Sequence, residues 1–224
     1  MNLLIVNNST FRRDYSEFQS FGRIECIYCK DLSGADFDAL LNEKHAVIFT
    51  GGPQHIPRID EYPELRHELR LLDVAIQRNL KIIGICLGFQ LINYYFGNTI
   101  VELPSLCCGH NFVDTTTFNT YGDPHLQKID VNVFANSFSY HYDGVLTNTH
   151  PDIRVVAKSV PLGESATVII YAIGHARLPI YAVQNHPEAD ALSIVRMFGV
   201  LRKPAEYYQT ICHNFLDSLL SIKT

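Results

Sequence analysis

The chain has 224 residues, 47% apolar and 18% charged, which is enough apolar material for a sizeable core and excludes a disordered polymer. Its formal net charge of −5, with no long basic run, offers nothing to a nucleic-acid backbone. Six cysteines are too sparse for a disulfide scaffold, and no apolar run approaches the roughly eighteen residues of a membrane span, so the expectation is one domain, 1–224, in a reducing cytoplasm.

The start, Met1-Asn2-Leu3-Leu4-Ile5-Val6, lacks the basic region of a signal peptide and reads as a first strand, Leu3 to Val6. Further short apolar runs follow at Ile24 to Cys29, Ala46 to Thr50 and Lys81 to Cys86. Each is bounded by turn or polar residues, as expected of strands covered on both faces. Between the third and fourth lies a helix signal. Pro63 suits a first helical position, and Leu65, Leu69, Leu72 and Ile76 recur at helical spacing. A strand, a helix and a second strand imply a right-handed parallel crossover. A second helix, Gly88 to Phe96, follows the fourth strand at once. Residues 99–160 are richer in Thr, Asn and Asp, with short β-like runs. Val168 to Ile173 and Pro179 to Gln184 read as a hairpin turning near Gly174-His175, and Ala205 to Ile222 as a final helix. The fold class is α/β, doubly wound in its first half.

The sharpest motif is Gly84-Ile85-Cys86-Leu87-Gly88-Phe89-Gln90. A buried strand runs straight into a helix with a cysteine at the junction, which is the cysteine form of a nucleophile elbow. Glycines on either side leave room for the tight turn. The helix N-terminus favours a thiolate and leaves the Leu87 N–H free for a developing oxyanion. Asn185-His186-Pro187-Glu188 follows a late strand and supplies a base with a carboxylate two residues on, on the same side of an extended segment. Thr50-Gly51-Gly52-Pro53 ends the strand expected beside Cys86, and its paired glycines let a backbone N–H approach a reacting carbonyl. Cys26 and Cys29 have redox spacing but lie in a strand-like run, which predicts a buried pair. Cys107-Cys108 with Gly109-His110 could join them at a zinc only if the fold brought the pairs together; no metal is expected.

In this order the three motifs resemble the class I, or triad-type, glutamine amidotransferases. The elbow fits that family's Gly-x-Cys-x-Gly-x-Gln pattern, and His-Pro-Glu lies 100 residues beyond the cysteine. The resemblance spans roughly residues 1–190. It implies a three-layer α/β sandwich with a mainly parallel, flavodoxin-like central sheet and no cofactor. It also implies roles. Cys86 would form a γ-glutamyl thioester, His186 would be the base and Glu188 its orienter. The N–H groups of Gly52 and Leu87 would form the oxyanion hole. Gly51, Gln90, Tyr140, Tyr142 and Asp143 would bind substrate, the last three within a Tyr140-His141-Tyr142-Asp143 segment similar to the His-x-Asp segment of GMP synthetases. Asn185 stands where the family usually carries an aromatic residue, and Tyr142 where it carries glycine. The implied substrate is glutamine or another γ-glutamyl compound, and the implied partner is a separate synthetase that uses the ammonia. The alternatives are an independent γ-glutamyl hydrolase or peptidase, and a non-catalytic binding protein on the same scaffold. Neither nucleic acid nor membrane is an expected partner.

Overall fold

The computed structural model describes residues 1–9, 15–164, 166–189, 194 and 204–220. Four parallel strands open the chain: β1 (Asn2–Asn7), β2 (Arg23–Tyr28), β3 (Ala46–Phe49) and β4 (Lys81–Ile85). The sheet order is β2-β1-β3-β4-β10-β9-β7-β5. β10 (Ile180–Val183) lies parallel to β4 and antiparallel to β9 (Ile170–His175), so it joins a parallel half to an antiparallel one. That second half is built from β5 (Thr99–Gly109), β6 (Val113–Asp114), β7 (Ser139–Thr147) and β8 (Ile153–Ser159).

Alternation within each parallel strand makes two cores. Leu4, Val6, Val47, Phe49 and Ile82 face α2 (Pro63–Gln77) and α3 (Leu87–Tyr95), the short α1 (Phe37–Leu40) lying at the edge of this layer. Leu3, Ile5, Ile48 and Ile83 pack instead with Phe134 of α4 (Val131–Ala135) and with Phe215, Leu216 and Leu219 of α5 (Ala205–Leu220). Both faces of the sheet are thus covered, which is why these strands read as continuous apolar runs.

Several expectations shift. The buried face of α2 is Leu65, Glu68, Leu71, Leu72 and Ala75, with Leu69 and Ile76 half-buried at its edge. Gly174 and His175 lie inside β9, and the turn falls after them. The His175 imidazole accepts from the Arg177 and Leu178 N–H groups, both at 3.1 Å, and so shapes that turn. Cys26 is exposed on the edge strand while Cys29 is buried in the turn that follows, so they are not a buried pair. Among the described residues no group of side chains is placed to hold a metal, and no helix is long and apolar enough to cross a membrane. Most of the segment 189–204, and residues 221–222 of the expected last helix, lie outside the described residues.

Candidate active site

β4 passes into α3 with one residue between them, Cys86, at φ 53° and ψ −104°. A non-glycine side chain in such a conformation costs on the order of 1–3 kcal/mol and persists only where its surroundings hold it. Here the surroundings are specific. The Cys86 N–H donates to the Val183 carbonyl at 2.9 Å, and the Gly88 N–H to the Thr50 carbonyl at 3.2 Å. A Cβ on Gly88 would lie 2.2 Å from the Phe49 carbonyl oxygen, so only glycine lets α3 dock against β3. Leu87, the first helical residue, buries its side chain and has an N–H with no acceptor one turn earlier.

β10 delivers the second component. Beyond Gln184 the chain makes one antiparallel bridge to Phe138, where the His186 N–H donates to the Phe138 carbonyl at 2.6 Å. The His186 Nδ1 lies 2.9 Å from the Glu188 Oε1. A carboxylate can only accept, so Nδ1 carries the proton and the other nitrogen is left for the Cys86 sulfur, to which His186 is also hydrogen-bonded. Burial works against a charge on this ring, but the neighbouring Cys86 sulfur and Glu188 carboxylate outweigh it and hold the imidazole pKa well above its ordinary value. Asn185, fully buried, donates its side-chain amide to the Phe134 carbonyl at 3.0 Å and to the Ser137 hydroxyl. In place of an aromatic wall it ties the histidine segment to the end of α4.

The third component closes over both. A Cβ on Gly51 would sit 2.5 Å from the His186 Cε1 and 3.3 Å from the Cys86 Cβ. The bare backbone of Gly51 therefore packs directly against the Cys86 side chain and the imidazole. Gly52 is confined as tightly, since a Cβ there would meet Gln54 Oε1 at 2.5 Å and the Asn8 carbonyl oxygen at 2.7 Å. All three segments leave the carboxyl ends of adjacent parallel strands, β3, β4 and β10, where open α/β sheets place their ligands.

β7 forms the far wall. Its Tyr140 carbonyl oxygen lies 3.7 Å from the Cys86 sulfur. Opposite Tyr142 the pairing breaks, because Asp143 pairs with Glu102 and His141 with Cys107, leaving residues 103–106 bulged. The Tyr140 and Tyr142 side chains are exposed, at 37% and 43%, and the Tyr142 ring stands 6.2 Å from that of His55. Asp143 is buried, one carboxylate oxygen 3.0 Å from His55 Nδ1 and the other accepting from the Ile56 N–H at 3.2 Å. Its carboxylate thus fastens the segment after Gly52 to β7. Gln90 is buried too, and its amide nitrogen donates to the Asp143 carbonyl and to Gln184 Oε1, both at 3.2 Å.

A family model, "Glutamine amidotransferase class-I", matches residues 30–192. The chain belongs to the class I glutamine amidotransferases. Among its relatives, the GMP synthase [glutamine-hydrolyzing] of Ehrlichia canis (strain Jake) is 27% identical over 179 residues, 77% of this chain and 31% of that protein. Anthranilate synthase component 2 of Azospirillum brasilense is 30% identical over 156 residues, 70% of this chain and 67% of that protein. The chain thus spans about a third of the length of the GMP synthase it matches. A crystal structure of a glutamine amidotransferase from Thermotoga maritima shares the fold, with a TM-score of 0.70 over 99% of this chain and 98% of the other at 13% identity.

Behind the Gly51-Gly52 segment stands a network that the motifs do not reveal. Asn8, just past β1, donates its backbone N–H to the Thr50 hydroxyl at 3.1 Å, and its side-chain amide to the Thr50 carbonyl at 3.2 Å and to Glu68 Oε2 at 3.0 Å. Within β7, His141 Nδ1 lies 2.9 Å from the Asp143 carbonyl oxygen and Nε2 2.9 Å from the Tyr171 hydroxyl. A carbonyl cannot donate, so Nδ1 bears the proton and Nε2 accepts from Tyr171. Burial pushes the His141 pKa down to about 4, which keeps the ring neutral. The signal for Glu68 was present in the sequence, since it falls between Leu65 and Leu72 on the apolar stripe of α2.

Proposed function

We propose that the chain is a glutaminase domain, residues 1–224, which releases ammonia from glutamine for a separate synthetase. The observation that carries this reading is the convergence of Cys86, strained at its elbow, with the Glu188-bound His186 across Gly51. In the proposed reaction the Cys86 sulfur attacks the glutamine side-chain carbonyl carbon. The oxygen takes up negative charge between the Gly52 and Leu87 N–H groups. The His186 imidazolium protonates the departing nitrogen, ammonia leaves and a γ-glutamyl thioester remains. Water then attacks that thioester, losing its proton to His186, and glutamate is released with the sulfur restored.

The wall opposite Cys86 is suited to the amino-acid end of the substrate, through the backbone beside Tyr140 and Tyr142. Gln90 acts there by holding the Asp143 carbonyl, as well as through its remaining amide oxygen. Gln90→Leu should lower kcat/KM for glutamine roughly ten- to a hundredfold, the usual cost of leaving buried hydrogen-bonding partners unmatched. Small alkylating reagents should still reach Cys86. Glutamine kinetics unchanged in the variant would remove Gln90 from the site.

A second reading, an independent γ-glutamyl hydrolase or peptidase, draws on one observation. Tyr142 presents a 43% exposed side chain at the mouth, where a larger γ-glutamyl substrate could rest against it. Steady-state turnover of the isolated protein on glutamine and on γ-glutamyl dipeptides separates the two. An ammonia donor should be slow on glutamine alone and faster with its synthetase present, because release must be coupled to use. Brisk dipeptide cleavage with little glutamine hydrolysis would establish the second reading instead.

A further inference from the structure

Glu68 is the one fully buried carboxylate on α2, at 0% exposure, and it points into the space behind Thr50, Gly51 and Gly52. Its Oε2 accepts from Asn8, whose same amide nitrogen holds the Thr50 carbonyl. That carbonyl also receives the Gly88 N–H, so one oxygen links the glycine strand to the first turn of the nucleophile helix. Three buried oxygens, Glu68 Oε1, Asn8 Oδ1 and Gln54 Oε1, have no hydrogen-bond partner among the described residues. The last of these is the atom that a Cβ on Gly52 would strike.

We propose that Glu68 is a positioning residue for the oxyanion strand, and that in its neutral form it anchors Asn8 and the Thr50 carbonyl so that Gly51 and Gly52 stay aligned beside Cys86. The inference rests on the glutaminase reading. A neutral carboxyl has one O–H to give. Because Oε2 already accepts from Asn8, the proton belongs on Oε1, which no donor reaches among the described residues. An ionised Glu68 would add a charge and remove that donor. The groups around it do not favour ionisation. Glu64 faces it from the same helix and Cys29 from the turn after β2, while neutral Asn8 meets it from the end of β1; neutral Gln54 lies against Glu64 and Cys29. No basic side chain pairs with it among the described residues. Burial raises its pKa to about 8, against the hydrogen bond from Asn8, and Glu64 adds to the rise.

The consequence is a pH dependence with a defined sign. Between the ordinary glutamate value and about 8, the folded chain keeps a proton that the unfolded chain has lost. Stability therefore falls as pH climbs through that window and levels off above it. Glutamine turnover should fall on the same upper limb as the strand loses its anchor.

The test compares wild type with Glu68→Gln, whose carboxamide imitates the neutral acid, and with Glu68→Leu, which fills the space without hydrogen bonds. Across roughly pH 6 to 10, the wild-type kcat for glutamine should drop relative to Glu68→Gln, which lacks the titrating group. The wild-type melting temperature should drop against Glu68→Gln up to about pH 8 and run parallel above it. Relative to Glu68→Gln, Glu68→Leu should lose about tenfold in kcat at every pH, with alkylation of Cys86 by iodoacetamide unaffected. Parallel wild-type and Glu68→Gln profiles, or an undiminished kcat in Glu68→Leu, would overturn the proposal. If Glu68→Leu does not fold, the Glu68→Gln comparison decides alone. If no variant hydrolyses glutamine, the functional reading falls by itself. The melting comparison then decides for Glu68, and a difference that does not vary with pH counts against it.

Discussion

Cys86→Ser should reduce glutamine turnover on the order of 10⁴–10⁶-fold while leaving the fold and the melting temperature nearly unchanged. The sulfur sits at an elbow that is fixed from three sides, by the Val183 carbonyl, by the Thr50 carbonyl through Gly88, and by Gly51. Exchanging sulfur for oxygen disturbs none of these. It replaces a soft, strongly nucleophilic sulfur by a much weaker hydroxyl nucleophile. Mass spectrometry of the wild type after a glutamine-like chloroketone should place the adduct on Cys86. The other five cysteines provide the control, Cys212 among them as a buried thiol. Cys29 and Cys107 are buried and pushed by that burial to about 12 and about 11, which makes them poor competitors. Cys26 and Cys108 are exposed, so they would react with any accessible electrophile but have no reason to prefer a glutamine analogue. An adduct on one of those, with Cys86 untouched, would defeat the assignment.

His186→Ala should cost turnover about 10²–10⁴-fold, the usual worth of general acid–base help, and Glu188→Gln should cost less. The geometry sets the ranking. Glu188 Oε1 holds Nδ1 at 2.9 Å and adds to the charge that favours imidazolium, but it does not itself meet the reacting atoms. A glutamine at 188 keeps an acceptor for Nδ1–H and loses only the charge. The His186 pKa should fall in that variant, since Glu188 is one of the two groups raising it. The activity limb assigned to His186 should move to lower pH accordingly. A greater loss from Glu188→Gln than from His186→Ala would reverse the two roles.

How much of this was legible in the sequence depends on whether chemistry or packing placed the residue. Gly84, Cys86 and Gly88 were legible because a strand running directly into a helix tolerates few residue types, and the 2.2 Å approach to the Phe49 carbonyl oxygen shows why. The parallel strands were legible because burial on both faces leaves only apolar residues. Glu68 was not singled out, although its spacing from Leu65 was visible, because a lone carboxylate on an amphipathic helix ordinarily belongs to the solvated face. The hairpin turn was misplaced for a related reason. Gly174 suggests a turn by type, but here it pairs with Tyr181 and Arg154 inside the sheet, and the histidine after it shapes the actual bend. Asp143 and Gln90 were drawn toward substrate by motif, and nothing local could reveal that partners 88 and 53 residues away in sequence engage them.

The position of β10 has a consequence for synthesis. It lies in the middle of the sheet, between β4 and β9, yet among the described residues it is the last of ten strands to be made. A chain still on the ribosome completes β4, the Cys86 elbow and α3 long before Ile180 emerges. Until then β4 has β3 on one side and an open edge on the other, and the thiol has no imidazole beside it. The Cys86 elbow is thus made well before His186. Entry of this four-residue strand then closes the exposed edge and brings His186 to the sulfur together.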